Sequence, residues 1–395
     1  MSYTELTPIQ DRTLSHILAG KDLLATAETG SGKTSACGIP LVQRIDTGHN
    51  EIQVLILVPT RELALQYVEE IDSIAKFMDV HPFAIYGGFD MDIQKAKLQS
   101  SVHILVATPG RLIDLIYQGR ISLSSVATLV LDEADEMLKL GFLEDINFII
   151  SCLIHEHQTL LFSATMPPEV KHLAETYLKD PVIIELNLDQ RAPQSLEHQF
   201  VMVRPADRVQ FMLDYLRKEK IRQAIVFCNS RLNADKLFTQ LKGRVAALEI
   251  IHGGLEQPKR TSIIRRFRRL GIEVMIATDL AGRGLDFLQV SHIINYNFPQ
   301  NNEIYTHRTG RAARMGRKGI ALTLVSTYDL SSLRRLLRLN RITPVWVGEA
   351  PNLEDVRQGR PRRDRRSGQR QGRPGRRYAG DTRHTGHSRS SGGGT

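Results

Sequence analysis

The chain has 395 residues, 42% of them hydrophobic and 24% charged, the balance of a soluble globular protein long enough to bury two cores. No apolar run approaches the ~18 residues of a membrane span; the first twenty residues carry Glu5, Asp11 and Arg12 rather than a secretory pattern. Cys37, Cys152 and Cys228 are too few and too scattered for a disulfide scaffold or a structural metal, so a reducing, cytoplasmic setting without a membrane or structural-metal partner is expected.

The net charge of +9 is unevenly distributed. Residues 1–190 hold 13 Lys and Arg against 26 Asp and Glu, a balance of −13; residues 191–356 hold 27 against 15, a balance of +12. Residues 357–395 hold 12 arginines against two aspartates, a balance of +10. An acidic half, a basic half and a basic tail point to a polyanion gripped mainly from the C-terminal side.

In chain order, the first expected strand is Asp22-Leu23-Leu24-Ala25. It runs into Ala27-Glu28-Thr29-Gly30-Ser31-Gly32-Lys33-Thr34 and then a helix. Glycines let backbone N–H groups curl around a phosphate, Lys33 adds a point charge, and the Thr34 hydroxyl suits Mg²⁺. The N-terminal end of the helix adds its dipole. Further apolar runs follow at Val54–Val58, Ile104–Val106, Leu129–Leu131 and Leu160–Phe162. The third delivers Asp132-Glu133-Ala134-Asp135 to its C-terminal end, where ligands bind in open α/β sheets. Asp132 fits a carboxylate that holds Mg²⁺, and Glu133 fits the group that orients or deprotonates an attacking water.

A polar stretch with a proline, Leu188–Gln194, marks a boundary, and the charge changes sign there. The strand series then repeats at Ala224–Phe227, Val274–Ala277, His292–Ile294 and Ala321–Val325. Continuous apolar strands separated by helix-length segments argue for two α/β domains with buried parallel sheets. Arg265-Arg266-Phe267-Arg268-Arg269 has helical spacing, with Phe267 expected in a core and the arginines on a solvated face. After Trp346 the character changes, and residues 357–395 are Arg, Gly, Gln and Ser, a composition that cannot offset chain entropy by burial and is expected to be disordered.

The acidic motif with this phosphate loop resembles the DEAD-box family of ATP-dependent RNA helicases. The family's other motifs are present in order: Thr7-Pro8-Ile9-Gln10, Pro59-Thr60-Arg61-Glu62-Leu63, Gly87-Gly88, Thr108-Pro109-Gly110-Arg111 and Ser163-Ala164-Thr165. The second half adds Val226–Ser230, His252-Gly253-Gly254 with Gln257 and Arg260, Ala277-Thr278-Asp279 through Asp286, and His307 to Arg314. The resemblance implies two tandem RecA-like domains, residues 1–190 and 191–350, with ATP between them, and a basic tail over 351–395 as in bacterial members.

The resemblance also implies roles. Gln10 would read adenine, and Thr29, Gly30, Ser31, Gly32, Lys33 and Thr34 would cradle the phosphates. Asp286 would contact the ribose, Thr34 and Asp132 would hold Mg²⁺, and Arg311 and Arg314 would serve as arginine fingers beside the catalytic Lys33 and Glu133. Thr60, Arg61, Gly88, Thr108, Gly110 and Arg111 would touch the RNA backbone from the first lobe, and Gln257, Arg260 and Thr278 from the second. Ser163, Thr165, Asp135 and His307 would couple nucleotide state to RNA. Such contacts carry no base code, so binding is expected to ignore sequence, with ribosome-assembly, RNA-decay or other RNP proteins as further partners.

Two departures stand out. The aromatic that in the family precedes the glutamine by a dozen or more positions has no counterpart: Tyr3 is the only aromatic before Gln10. Either the start is truncated or that adenine clamp is lacking. Ala312 and Ala313 replace the Thr-Gly often seen in the last motif. The expected activity is RNA-stimulated ATP hydrolysis with local unwinding of short duplexes. An ATP-gated clamp with little unwinding would need the same motifs. The Asp-Glu-Ala-Asp form and Gln10 argue against a DNA helicase.

Overall fold

The computed structural model describes residues 5–27, 30–88, 98, 100–186, 196–219, 221–279, 290–312 and 318–353. Among these lie two sheets of seven strands, every pairing parallel. The first has the order β3-β4-β2-β5-β6-β1-β7, from β1 (Leu23–Thr26), β2 (Val54–Leu57), β3 (Pro82–Ile85), β4 (Ile104–Ala107), β5 (Thr128–Leu131), β6 (Gln158–Ser163) and β7 (Val182–Glu185). The second has the order β10-β11-β9-β12-β13-β8-β14. Its strands are β8 (Leu196–Met202), β9 (Ala224–Cys228), β10 (Leu248–Ile251), β11 (Val274–Thr278), β12 (His292–Asn295), β13 (Gly319–Val325) and β14 (Val345–Trp346). Strand for strand the second order repeats the first, so the recurrent apolar runs are one topology used twice.

Parallel strands need crossover helices, which cover both faces and bury the sheet. In β2, Val54 and Ile56 face one core with α1 (Pro8–Leu18), α2 (Lys33–Arg44) and α3 (Arg61–Ile74). Leu55 and Leu57 face the other, with α4 (Pro109–Tyr117), α5 (Ala134–Lys139), α6 (Leu143–Ser151) and α7 (Pro168–Tyr177). The second sheet is covered likewise by α8 (Arg208–Lys218) and α9 (Arg231–Leu241) on one face and α10 (Gln257–Arg268) on the other. A further cluster joins Phe200 and Tyr305 to α12 (Leu330–Leu339), Tyr305 lying on α11 (Asn302–Thr309).

Several helices begin at capping residues that follow a strand end. The Thr60 hydroxyl accepts from Leu63 N at 3.3 Å, Ser230 Oγ accepts from Asn233 N at 3.2 Å, and Asn301 Oδ1 accepts from Ile304 N at 2.8 Å. The motif residues therefore gather at the C-terminal edges of the two sheets. Among the described residues no helix is long and apolar enough to cross a membrane. The expected boundary at Leu188–Gln194 and the tail from residue 354 lie outside the described residues.

Candidate functional site

Three neighbouring strands supply the phosphate loop and the acidic turn. β1 pairs with β6, Thr26 beside Ser163, and β6 pairs with β5, Leu161 beside Leu131. The loop after β1, the turn after β5 and the Ser163-Ala164-Thr165 segment therefore leave one edge together. Gly30 and Gly32 have φ of 86° and 97°, a region L side chains avoid. A Cβ on Gly32 would also lie 2.8 Å from Thr7 Oγ1 and 2.9 Å from Gln10 Nε2. Gln10 Oε1 accepts from Thr7 N at 2.9 Å while its Nε2 donates to Gly32 O at 3.4 Å. The glutamine thus clips α1 onto the loop that caps α2.

Lys33 is buried, donates to Ala27 O at 3.0 Å, and lies 3.8 Å from Asp132 Oδ1. Asp132 Oδ1 also accepts from Glu133 N at 2.8 Å, and its Oδ2 accepts from the Tyr67 hydroxyl at 2.6 Å. Glu133 stands in the left-handed region at φ 52° and begins α5, a strained position of the kind found where a side chain must be aimed. Burial pushes its carboxyl above the ordinary glutamate range, with Asp132 pushing the same way and Lys33 and Arg311 opposing. Arg311, from the second lobe, thus lies near enough for its charge to bear on Glu133.

The donor set tests the fit to a metal. Asp132 and the Thr34 hydroxyl offer oxygen only, a donor set that suits Mg²⁺, which keeps several waters and completes its shell with substrate phosphates.

Asp135 lies at the next position along. Thr165 Oγ1 donates to its Oδ2 at 2.6 Å, and Ser163 Oγ accepts from its backbone N at 3.3 Å. Burial pulls its carboxyl upward, but the Thr165 hydrogen bond and the charges of Lys33 and Lys139 outweigh that and hold it below the ordinary range. Lys139 crosses to Glu303 of α11 at 2.8 Å. The charges of His307 and Asp135 both bear on Glu303, and of the expected coupling residues Ser163 and Thr165 bond Asp135 directly.

A second group lies beside the first. Gly88, Thr108 and Thr60 follow β3, β4 and β2, three adjacent strands. Gly88 has φ 75°, and any Cβ there would run into the Arg61 guanidinium. Burial holds Arg61 below the usual arginine range; nearby Arg260 and Arg111 add to the effect and Glu62 opposes it. Three guanidiniums thus converge beside turns with little side-chain bulk, and around Gly110 a Cβ would meet nothing within 4 Å.

Gln257 and Arg260 reach this group from α10. Gln257 Oε1 accepts from Arg61 Nη1 at 3.2 Å, its Nε2 donates to Glu62 Oε1 at 3.3 Å, and Arg260 pairs with Glu62 at 2.8 Å. Farther along, Arg268 bonds Glu69 at 2.6 Å and Gln66 at 3.1 Å. α3 and α10 therefore line a seam between the sheets. Phe267 is in a core as its spacing implies, and Arg265, Arg266 and Arg269 are exposed as expected; Arg268 differs, half-buried and spanning the seam.

Sequence reasoning assigned no role to Arg308, Glu62 or Tyr67. Arg308 spends all five guanidinium donors: on Asp279 twice, on Asn229 Oδ1 at 2.8 Å, and on Asn295 Oδ1 and Asn297 O at 3.1 Å each. It also lies over the Phe227 ring at 5.2 Å. It binds the ends of β9, β11 and β12 to the helix that carries His307 and precedes Arg311. A signal was available, since arginine inside a buried motif requires acidic or amide partners and Asn229 and Asp279 stand in neighbouring motifs. Thr278 ends β11, buried, next to Asp279. Thr29, Asp286 and Arg314 lie outside the described residues.

Duplicated RecA-like sheets, the first bearing a phosphate loop and an acidic turn, define a P-loop nucleoside triphosphatase of helicase architecture. The DEAD/DEAH box helicase family model matches residues 7–173, and the helicase conserved C-terminal domain model matches 207–316. The DEAD-box ATP-dependent RNA helicase CshA of Bacillus cereus is 40% identical over 362 residues, 92% of this chain and 69% of its own length. Saccharomyces cerevisiae Dbp5 bound to RNA and ADP BeF3 superposes with a TM-score of 0.79 at 27% identity, over 87% of this chain and 90% of that one. Mss116 bound to single-stranded RNA and UDP-BeF gives 0.77 at 28% identity, over 90% and 77%. The chain belongs to the DEAD-box family of ATP-dependent RNA helicases.

Proposed function

We propose that the protein couples ATP binding and hydrolysis to closure of its two lobes on RNA, and that closure locally unwinds short duplexes or remodels RNA–protein complexes. The observation that carries this reading is that the two lobes meet through Arg260 on Glu62 and Lys139 on Glu303, each at 2.8 Å, with the Arg311 charge of the second lobe bearing on Glu133 of the first. A hydrolytic site split between two lobes works only when they are together.

Lys33, with the loop amides of residues 29–34, binds the β- and γ-phosphates, and Gln10 meets the adenine edge. Asp132 and Thr34 would hold Mg²⁺, which would supply positive charge to offset that of the phosphate oxygens. Glu133 orients the attacking water and takes its proton, while Arg311 and Arg314 stabilise the charge spreading over the transferred group. Asp286 contacts the ribose.

RNA lies along Thr60, Arg61, Gly88, Thr108, Gly110 and Arg111, and continues to Gln257, Arg260 and Thr278. Small turns and guanidiniums suit sugar and phosphate rather than bases. The two groups are joined by Asp135, Ser163, Thr165 and His307. Free energy for unwinding comes from tighter binding of a bent strand by the closed state. Residues 1–190 and 191–350 are the two moving bodies, 351–395 is a basic tether, and the setting is cytoplasmic, with RNP, ribosome-assembly or RNA-decay proteins as candidate partners.

The resemblance to RNA-bound, nucleotide-analogue-bound relatives supports the same reading. The test is steady-state phosphate release with and without single-stranded RNA, with Lys33→Ala as blank, followed by displacement of a short labelled strand. RNA stimulation with displacement supports the helicase reading. Stimulation without displacement replaces it with an ATP-gated clamp, and hydrolysis indifferent to RNA overturns it.

A further inference from the structure

Tyr67 lies in the middle of α3, fully buried, and neither the phosphate loop nor the RNA path uses it. Its hydroxyl donates to Asp132 Oδ2 at 2.6 Å, while Asp132 Oδ1 accepts from Glu133 N at 2.8 Å and lies 3.8 Å from Lys33 Nζ. Cys37 Sγ of α2 is 3.7 Å from the same hydroxyl. Burial pushes the Cys37 thiol up to about 12, so it stays neutral, with its Sγ also 3.3 Å from Thr34 O. The phenol carries one proton and spends it on the carboxylate.

We propose that Tyr67 is a positioning residue for the metal-holding carboxylate, fixing Asp132 in one orientation through its hydroxyl. The inference rests on the magnesium reading above and deepens it. With an amide on one oxygen and a phenol on the other, rotation of the carboxylate about its Cβ–Cγ bond would break two hydrogen bonds at once. Its remaining lone pairs are held toward Lys33 and the phosphate loop. This is the work of an outer donor on a metal-binding group, whose loss commonly costs 10–100-fold in metal affinity. A packing role alone would need only the ring. Phenylalanine would fill the same space in the core that Tyr67 shares with Cys37, Leu63 and Ile71, so the hydroxyl and the ring can be tested separately.

The experiment is a Mg²⁺ titration of the full chain binding a fluorescent non-hydrolysable ATP analogue. In Tyr67→Phe the Mg²⁺ midpoint should rise about tenfold, with binding of the metal-free analogue unchanged. In an Asp132→Asn background, Tyr67→Phe should add nothing, because it acts through that carboxylate. Ile71→Val, which disturbs the packing but leaves the Tyr67–Asp132 bond, should keep the wild-type midpoint. An unmoved midpoint in Tyr67→Phe overturns the proposal, and so does an equal shift in Ile71→Val. Wild-type binding indifferent to Mg²⁺ would instead remove the magnesium reading on which the proposal stands.

Discussion

Arg260 places Nη2 2.8 Å from Glu62 Oε1, joining the first turn of one helix to the first turn of another across the seam between the two sheets. Both side chains are shielded, at 13% and 5% exposure. Removing one partner of such a pair leaves a buried charge uncompensated, at a cost of about 3–5 kcal/mol. The pair exists only when the lobes meet, so the cost falls on closure. Arg260→Ala should therefore reduce RNA-stimulated hydrolysis at least tenfold while leaving nucleotide binding to the first lobe intact. Phosphate release against RNA concentration measures the first, and fluorescent ADP binding the second. Arg260→Ala with Glu62→Gln should recover part of the loss, since no unpaired carboxylate remains.

Arg308 gives a prediction about stability as well as rate. Its five donors converge on Asp279, Asn229, Asn295 and Asn297 in a site 2% exposed. Lysine brings three donors from a point rather than a planar fork. Arg308→Lys should lower the melting temperature of the second lobe, and by displacing α11 should also slow hydrolysis through Arg311. Calorimetry of wild type and variant would expose the first effect. Equal melting temperatures would mean that the asparagines re-pair among themselves.

The same helix was only partly legible in the sequence. The apolar runs announced the central strands because strands buried on both faces must be apolar at every position. β8, Leu196–Met202, went unread because Glu197, His198 and Gln199 interrupt the run in the strand between β13 and the short edge strand β14. β3 begins with a proline and β7 is half-exposed, as edge strands are. Motif residues on turns were readable because their types suit phosphate. The partners that hold them, Tyr67 for Asp132 and Asn229 for Arg308, belong to remote segments, and spacing along the chain carries no information about such pairs.

His198, in that unread strand, makes stability depend on pH. Its Nδ1 lies 2.6 Å from the Tyr305 hydroxyl, and burial lowers its pKa from 6.5 to about 4. The unfolded chain binds the proton more readily, so stability is full above about 6.5 and falls as pH drops toward 4. A shift of this size amounts to about 3 kcal/mol. Urea unfolding of the second lobe at pH 7 and pH 5 should show the loss, and His198→Phe should flatten it. A wild-type profile as flat as the variant's would show that His198 does not titrate on unfolding.

As the proposed base, Glu133 should give hydrolysis the same direction of pH dependence as an exposed carboxylate, with its midpoint moved upward. Burial raises its pKa, with Lys33 and Arg311 holding back the rise. The base must be ionised, so the rate should fall with decreasing pH through a value above the ordinary glutamate range. Glu133→Gln should remove hydrolysis while still permitting closure, and should release RNA slowly in the presence of ATP. Rapid RNA release by this variant, followed by fluorescence anisotropy, would count against Glu133 as the base.

The tail supplies a prediction that rests on composition alone. Residues 357–395 carry 12 arginines and two aspartates, and Tyr378 among them offers a surface on which a base can stack. Each phosphate neutralised releases counterions, and for single strands the slope of log affinity against log salt is about −0.7 per contact. A chain ending at residue 356 should bind single-stranded RNA more weakly at low salt, with a shallower slope, and the two affinities should converge as salt rises. Basal ATP hydrolysis should be unchanged, because both halves of the hydrolytic site lie before the cut. The comparison separates a tether from a solubilising tail: a tether changes the slope, whereas a solubilising tail changes only the concentration at which the protein stays dispersed.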